Sequence, residues 1–129
     1  DSPTARIDIF DYDPQSGAIA NRRPFVQIEE GAGWPDGMTV DAEGNVWVAL
    51  WGGSAVRCYS PQGRLEGIVR VPALQSSCCA FGGPDLGDLY ITSARTGLSE
   101  DVLAAQPANG GLFVARTGAR GRAPWRFAG

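Results

Sequence analysis

The sequence predicts an all-β chain: part of a β-propeller built from four-stranded blades, of which about two and a half to three are present. Three observations carry this. Short apolar runs of about five to seven residues recur between turn signals, as strands of this kind do. Of the 129 residues 18 are Gly and 9 are Pro, scattered between those runs and so marking turns rather than low complexity. A motif also repeats at a period of about 43 residues, the size of a four-stranded blade.

Ala5 to Tyr12 alternates Ile7 and Ile9 against Arg6 and Asp8, the period-2 pattern of a half-buried strand. Further strands are predicted at Pro24 to Ile28, Gly37 to Asp41, Asn45 to Trp51, Ala55 to Tyr59 and Leu65 to Val71. Cys78 to Phe81, Asp88 to Ser93, Gly111 to Arg116 and Trp125 to Ala128 complete the series. The segments Asp13-Pro14-Gln15-Ser16-Gly17, Asp41-Ala42-Glu43-Gly44-Asn45, Pro61-Gln62-Gly63 and Gly83-Pro84-Asp85-Leu86-Gly87 are turns. Pro pre-sets φ at a turn's start, and Gly or Asn supplies a positive φ. One helix is predicted, over Leu98 to Ala105, capped by Ser99 and stopped by Pro107.

The repeat aligns Val46-Trp47-Val48-Ala49-Leu50 with Leu89-Tyr90-Ile91-Thr92-Ser93, and at the same offset Met38 with Phe81. Gly52-Gly53 resembles Gly110-Gly111, and Tyr12-Asp13-Pro14-Gln15 resembles Tyr59-Ser60-Pro61-Gln62. Gly37 to Val71 is then one complete blade. Cys78 to Gly129 is a second, with the helix in a long loop between its middle strands, and Ala5 to Ile28 is the outer half of an earlier one. Propellers close with four to eight blades, and an open stack leaves strand edges unpaired. The expectation is a partial propeller domain over residues 1–129 with blades preceding Asp1; closure by further copies of the chain is the alternative.

A net charge of -3 gives no electrostatic footprint for nucleic acid, and no apolar run approaches a membrane span. The cysteines, Cys58, Cys78 and Cys79, are odd in number and include an adjacent pair. That is no disulfide framework, and neighbours in a strand face opposite ways. They read as small buried apolar residues in a reducing, cytoplasmic setting. The chain has no His, which excludes a Ser-His-Asp triad or a His-ligated zinc within it.

Asp36 stands immediately before the inner strand of the complete blade, where a carboxylate faces the channel mouth. Oxygen ligands converging from several blades suit a hard cation; Pro35-Asp36-Gly37 also suits a plain turn, and spacing supports both readings equally. Asp41, Glu43 and Asn45 alternate as in a calcium loop but lack its helix and distal Glu, so they read as a turn. Ser76 and Ser77 are placed near the same mouth, with no base in the chain to activate either. Trp34, Trp47, Trp51 and Tyr90 read as blade packing, with Trp34 singled out by its place beside Asp36. Arg95 faces either the channel or water. Arg116, Arg120, Arg122 and Arg126 read as a solvated basic loop.

The stretch Trp34-Pro35-Asp36-Gly37-Met38 through Asp41-Ala42-Glu43-Gly44-Asn45-Val46-Trp47-Val48-Ala49 resembles the signature of the gluconolactonase and regucalcin (senescence marker protein) family. Phe10-Asp11-Tyr12-Asp13, Asn21-Arg22-Arg23, Ser77-Cys78-Cys79-Ala80-Phe81-Gly82-Gly83, Leu89-Tyr90-Ile91-Thr92-Ser93-Ala94-Arg95 and Gln106-Pro107-Ala108-Asn109-Gly110-Gly111-Leu112-Phe113 agree with it, in the family's order. The resemblance implies a six-bladed propeller of about twice this length, of which this chain is the C-terminal part. It implies one divalent cation at the axis, held by a Glu, an Asn and an Asp. The Asp corresponds to Asp36; the Glu and Asn would lie before Asp1.

The activity implied is hydrolysis of a sugar lactone such as glucono-1,5-lactone, with Asp36 as metal ligand and as acceptor of the attacking water's proton. Ca²⁺ leads an all-oxygen site, with Zn²⁺, Mn²⁺ and Mg²⁺ in use among relatives. The isolated chain, with one ligand of three, is expected to be inactive. Two alternatives stand beside this reading: a calcium-binding regulatory or interaction propeller without catalysis, and another Ca²⁺-dependent propeller hydrolase resembling the paraoxonases or strictosidine synthase.

Overall fold

The computed structural model describes residues 1–124. A 3₁₀ turn (Ser2–Thr4) leads into β1 (Arg6–Tyr12) and β2 (Ile19–Gln27); then come β3 (Trp34–Val40), β4 (Val46–Trp51), β5 (Ala55–Tyr59), β6 (Leu65–Arg70), β7 (Gln75–Gly82) and β8 (Asp88–Ala94). The helix α1 (Glu100–Ala105) and β9 (Leu112–Arg116) follow. The all-β propeller prediction holds. β1 and β2 form a hairpin. β3 to β6 form an antiparallel meander, the complete blade. β7, β8 and β9 form the second blade, joined to the first at a single rung, Trp51 with Gln75. The strand expected at Trp125 to Ala128 lies outside the described residues.

Stacking of these three units explains the apolar run Val46-Trp47-Val48-Ala49-Leu50. A strand covered on both faces loses the alternation of a half-buried one. On one face Val48, Leu50 and Tyr59 pack with Ile7, Val26 and Ile28 of the hairpin. On the other, Trp47, Ala49, Val56 and Cys58 pack with Cys79, Leu89 and Ile91 of the second blade. Between these clusters the middle blade is buried throughout its centre.

Several boundaries differ from expectation for identifiable reasons. β2 begins at Ile19, not Pro24, because its exposed outer half is held by charge pairs with β1 (Arg22 with Asp8, Arg23 with Asp11) rather than by apolar alternation. β3 begins at Trp34 and β7 at Gln75, so Asp36, Ser76 and Ser77 sit inside strands. The helix begins at Glu100, with Ser99 as the predicted cap accepting from the Val102 N–H at 3.4 Å.

The register of the repeat is also corrected. Val46 and Leu89 are 43 positions apart, but their inner-strand partners Val40 and Phe81 are 41 apart. Met38 therefore corresponds to Cys79 (they pair with Val48 and Ile91) and not to Phe81. The turn between the first two strands of the second blade is longer and adds a rung, Gly82 with Asp88.

The expected Asp41–Asn45 turn is confirmed as structural. Asp41 is 1% exposed. Its carboxylate accepts from the N–H groups of Glu43 and Asn45 at 3.0 and 2.8 Å, from the Asn45 amide at 2.9 Å and from the Trp47 indole at 2.9 Å. Burial pushes its pKa up, but these hydrogen bonds outweigh it and the carboxyl titrates below the ordinary range. A carboxylate so fully engaged has no lone pair to spare for a cation.

The basic segment is solvated as expected at Arg116 and Arg120, which are 87% and 65% exposed, but it is also tied to its neighbours. Arg116 pairs with Asp88 at 2.9 Å and Arg120 with Asp85 at 3.2 Å. Arg122 Nε donates to the Asp41 carbonyl at 3.0 Å, while Gly121 bridges to Asp41 and donates to the Leu86 carbonyl at 2.8 Å. The segment thus straps the inner hairpin turn of one blade to that of the next. Arg126 lies outside the described residues.

Candidate functional site

β3 and β7 are the inner strands, and each carries a β-bulge at the same height. In β3 the register shifts between Pro35 and Met38, so Asp36 and Gly37 have no rung; in β7 it shifts between Ser76 and Cys78. A bulge leaves a residue unpaired and re-aims its side chain. Asp36 is therefore displayed by an irregularity within a strand rather than by a turn ahead of it. Its carboxylate is exposed, and none of the ion pairs among the described residues involves it. Its counterpart in the second blade is Ser77, so the carboxylate is not repeated there.

Close packing fixes the bulge. A Cβ on Gly37 would lie 2.7 Å from the Cys78 Cα, closer than any side chain tolerates, so β3 and β7 meet backbone to backbone at this point. Ser2 anchors the other side, its hydroxyl donating to the Pro35 carbonyl at 2.7 Å. Together Ser2, Pro3, Trp34, Asp36 and Trp51 line a cleft of about 330 Å³. Trp34 and Trp51 are cross-strand partners on β3 and β4. Sequence reasoning set Trp34 beside Asp36. It assigned Trp51, 15 positions beyond Asp36, to blade packing, and it missed Ser2, which reaches the site only through the tertiary fold.

The other candidates fall away from this cleft. Ser76 is fully buried, its hydroxyl without a partner among the described residues, so a ligand in solvent does not reach it. The Ser77 hydroxyl is engaged with that of Thr92 at 2.8 Å. Trp47 is core, set edge-on to Phe81 with centroids 5.7 Å apart. Arg95 is exposed and lays its stem against Gly110. Of the cysteines expected to be buried, Cys58 and Cys79 are, and burial pushes their thiols up to about 11 and about 12. Cys78 is exposed instead, because consecutive strand residues point to opposite faces.

Among the described residues no three His, Cys, Asp or Glu side chains converge as a metal site. Asp36 fits a hard cation as one oxygen donor, exposed, at a cleft and without an ion pair among the described residues; a cation needs several more.

Known proteins resemble this chain in sequence and in fold. The sequence model of the SMP-30/Gluconolactonase/LRE-like region matches residues 1–95. An L-arabinolactonase of Azospirillum brasilense is 48% identical over 129 residues, covering 100% of this chain and 42% of that protein. A regucalcin of Xenopus laevis is 40% identical over 131 residues, covering 100% of this chain and 44% of that protein. The crystal structure of a calcium-binding protein, regucalcin, from Agrobacterium tumefaciens matches with a TM-score of 0.89 at 34% identity, over 95% of this chain and 42% of that one. The chain thus spans less than half the length of the relatives it matches. On these similarities the chain belongs to the SMP-30/gluconolactonase/LRE-like family.

Proposed function

We propose that this chain is part of a divalent-metal-dependent lactonase acting on sugar lactones, and that Asp36 is its contribution to the metal centre. The observation that carries this reading is Asp36 itself: an exposed carboxylate with no ion pair among the described residues, set by the β3 bulge in a cleft with Ser2, Trp34 and Trp51. The L-arabinolactonase relative supports the substrate class, and the calcium-binding regucalcin supports a hard cation. In this reading the remaining ligands come from blades outside this chain, the propeller is six-bladed when complete, and residues 1–129 are one part of that domain. Three free thiols fit a reducing, cytoplasmic compartment.

A divalent cation held in part by Asp36 would supply Lewis acidity toward the lactone carbonyl. Asp36 offers one oxygen as a ligand, and its carboxylate accepts the proton of the attacking water. As water adds to the carbonyl carbon, the ring C–O bond breaks. The proton taken by Asp36 ends on the released hydroxyl; the other water proton stays on the new carboxyl and is lost to solvent as the sugar acid leaves as its carboxylate.

The test is hydrolysis of glucono-1,5-lactone and arabinonolactone by the full-length protein, with and without added Ca²⁺, Zn²⁺, Mn²⁺ or Mg²⁺ and with spontaneous opening subtracted. The expected result is metal-dependent turnover that falls by roughly a hundredfold or more in Asp36→Ala. The 129-residue chain alone is expected to be silent. Tight calcium binding without turnover of any lactone would instead support the non-catalytic reading that the calcium-binding relative suggests.

A further inference from the structure

Beside Asp36 lies an aromatic surface that the hydrolytic chemistry does not require. Trp34 is 53% exposed, a large apolar area to leave in water at the site's edge. Its position is well determined. Gly33 adopts φ +99, and a Cβ there would lie 2.7 Å from both the Gly53 N and the Trp51 carbonyl oxygen. Only glycine permits this interlock of the two chain segments. The six-membered edge of the Trp34 indole then rests over Gly52, where a Cβ would be 3.6 Å from Cζ3 and 3.8 Å from Cε3. Trp51 stands opposite on β4, and Asp36, two residues along β3, shares the cleft with both. The indole is thus held by packing on one side and open to the cleft.

Resting on the lactonase reading, we infer that Trp34, backed by Trp51, is the platform for the C–H face of the sugar ring and a specificity-determining residue of the site. A sugar ring has an apolar face of C–H groups and a rim of hydroxyls. An indole plane covers the first, and a carboxylate or hydroxyl at its border takes the second. The cleft brings that pair of chemistries together: two indole-bearing residues, Trp34 and Trp51, with the polar Asp36 and Ser2 in the same lining. The volume of about 330 Å³ accommodates a single monosaccharide ring, at the small end of ligand sites. Because the platform is pre-set by Gly33, Gly52 and Gly53, little side-chain ordering is left for binding to impose.

The test uses the full-length protein, with Trp34→Ala and the conservative Trp34→Phe. Two readouts are needed: kcat and KM on a sugar lactone, and calorimetric binding of 1,5-anhydroglucitol, a cyclic sugar ether that keeps the ring's C–H face and has no lactone bond to hydrolyse. Trp34→Ala is expected to raise KM and weaken anhydroglucitol binding by roughly five- to tenfold, with kcat little changed and Trp34→Phe recovering most of the loss. A merely structural role would instead lower the melting temperature and depress kcat in both variants.

Equal binding of anhydroglucitol by wild type and Trp34→Ala, or none by either, overturns the platform even where lactone is hydrolysed. Trp34-dependent binding without turnover of any lactone leaves the platform standing and sinks the lactonase reading. The two ideas therefore fail separately.

Discussion

At the residue scale the chain holds carboxylates in two conditions. Asp41 is buried and saturated with donors, while Asp36 is exposed and has no ion pair among the described residues, though the two are only five positions apart. In exposed Glu29 the hydrogen bonds from Arg57 lead the titration, helped by a backbone hydrogen bond and opposed by desolvation. Arg57 donates to its two oxygens at 2.8 and 2.6 Å. These hydrogen bonds hold the Glu29 carboxyl at about 2 and push the guanidinium up. A carboxyl whose pKa is lower folded than unfolded contributes stability above its unfolded pKa and loses it as the pH falls through the folded one. The contribution is therefore whole above about 4.5 and gone near about 2. The Glu29 side chain is 65% exposed, so solvent screening keeps the pair's worth to no more than about 1 kcal/mol. Urea unfolding of wild type and Glu29→Gln should differ by that small amount at pH 7 and converge as the pH falls across this window. A difference that persists at the acid end would mean the pair does not carry it.

At the element scale the bulged inner strands depend on glycine at the point where they touch. Gly37→Ala places a Cβ against Cys78, whose Cα lies 2.7 Å away. The displaced backbone is expected to cost roughly 1–3 kcal/mol and to lower the melting temperature. Trimming the neighbour in Gly37→Ala/Cys78→Gly should recover only part of this, since the Cα remains. Full recovery would show that the thiol side chain, and not the backbone, sets the approach. The same contact explains why Asp36 was legible as a site residue while its geometry was not. Pro, Asp and Gly in succession announce a turn, but here the register passes through them as a bulge because β7 packs alongside.

At the scale of the whole molecule, adjacent blades are joined by little backbone pairing: one rung, Trp51 with Gln75. Burial of apolar faces and the 119–122 strap supply the rest. Arg122 donates to the Asp41 carbonyl at 3.0 Å, the Ala42 N–H donates to the Arg120 carbonyl at 2.8 Å, and Gly121 sits against Phe81. Arg122→Ala is expected to reduce stability by about 1–2 kcal/mol, read as a lower urea midpoint with an unchanged slope, because it removes a tie between blades without unfolding either. A lower slope would mean that the strap holds the blades' packing as a whole.

The sequence by itself determined the strands, the blade period, the Asp41 turn, the capped helix and the prominence of Asp36. Each is a local signal: alternation, turn chemistry, or a short motif whose residues act on near neighbours. Three other features were decided only by tertiary structure. The inner strands' register departs from the repeat, because a longer second-blade turn moves it by two positions. The basic segment, which reads as solvated, is also spent on carboxylates and carbonyls more than 25 positions away, such as Asp88 and Asp41. The cleft gathers Ser2, Trp34, Asp36 and Trp51 from separate stretches of chain. Local pattern does not encode such meetings, since they arise from blade packing, where the free energy lies in apolar faces covered and backbones brought together.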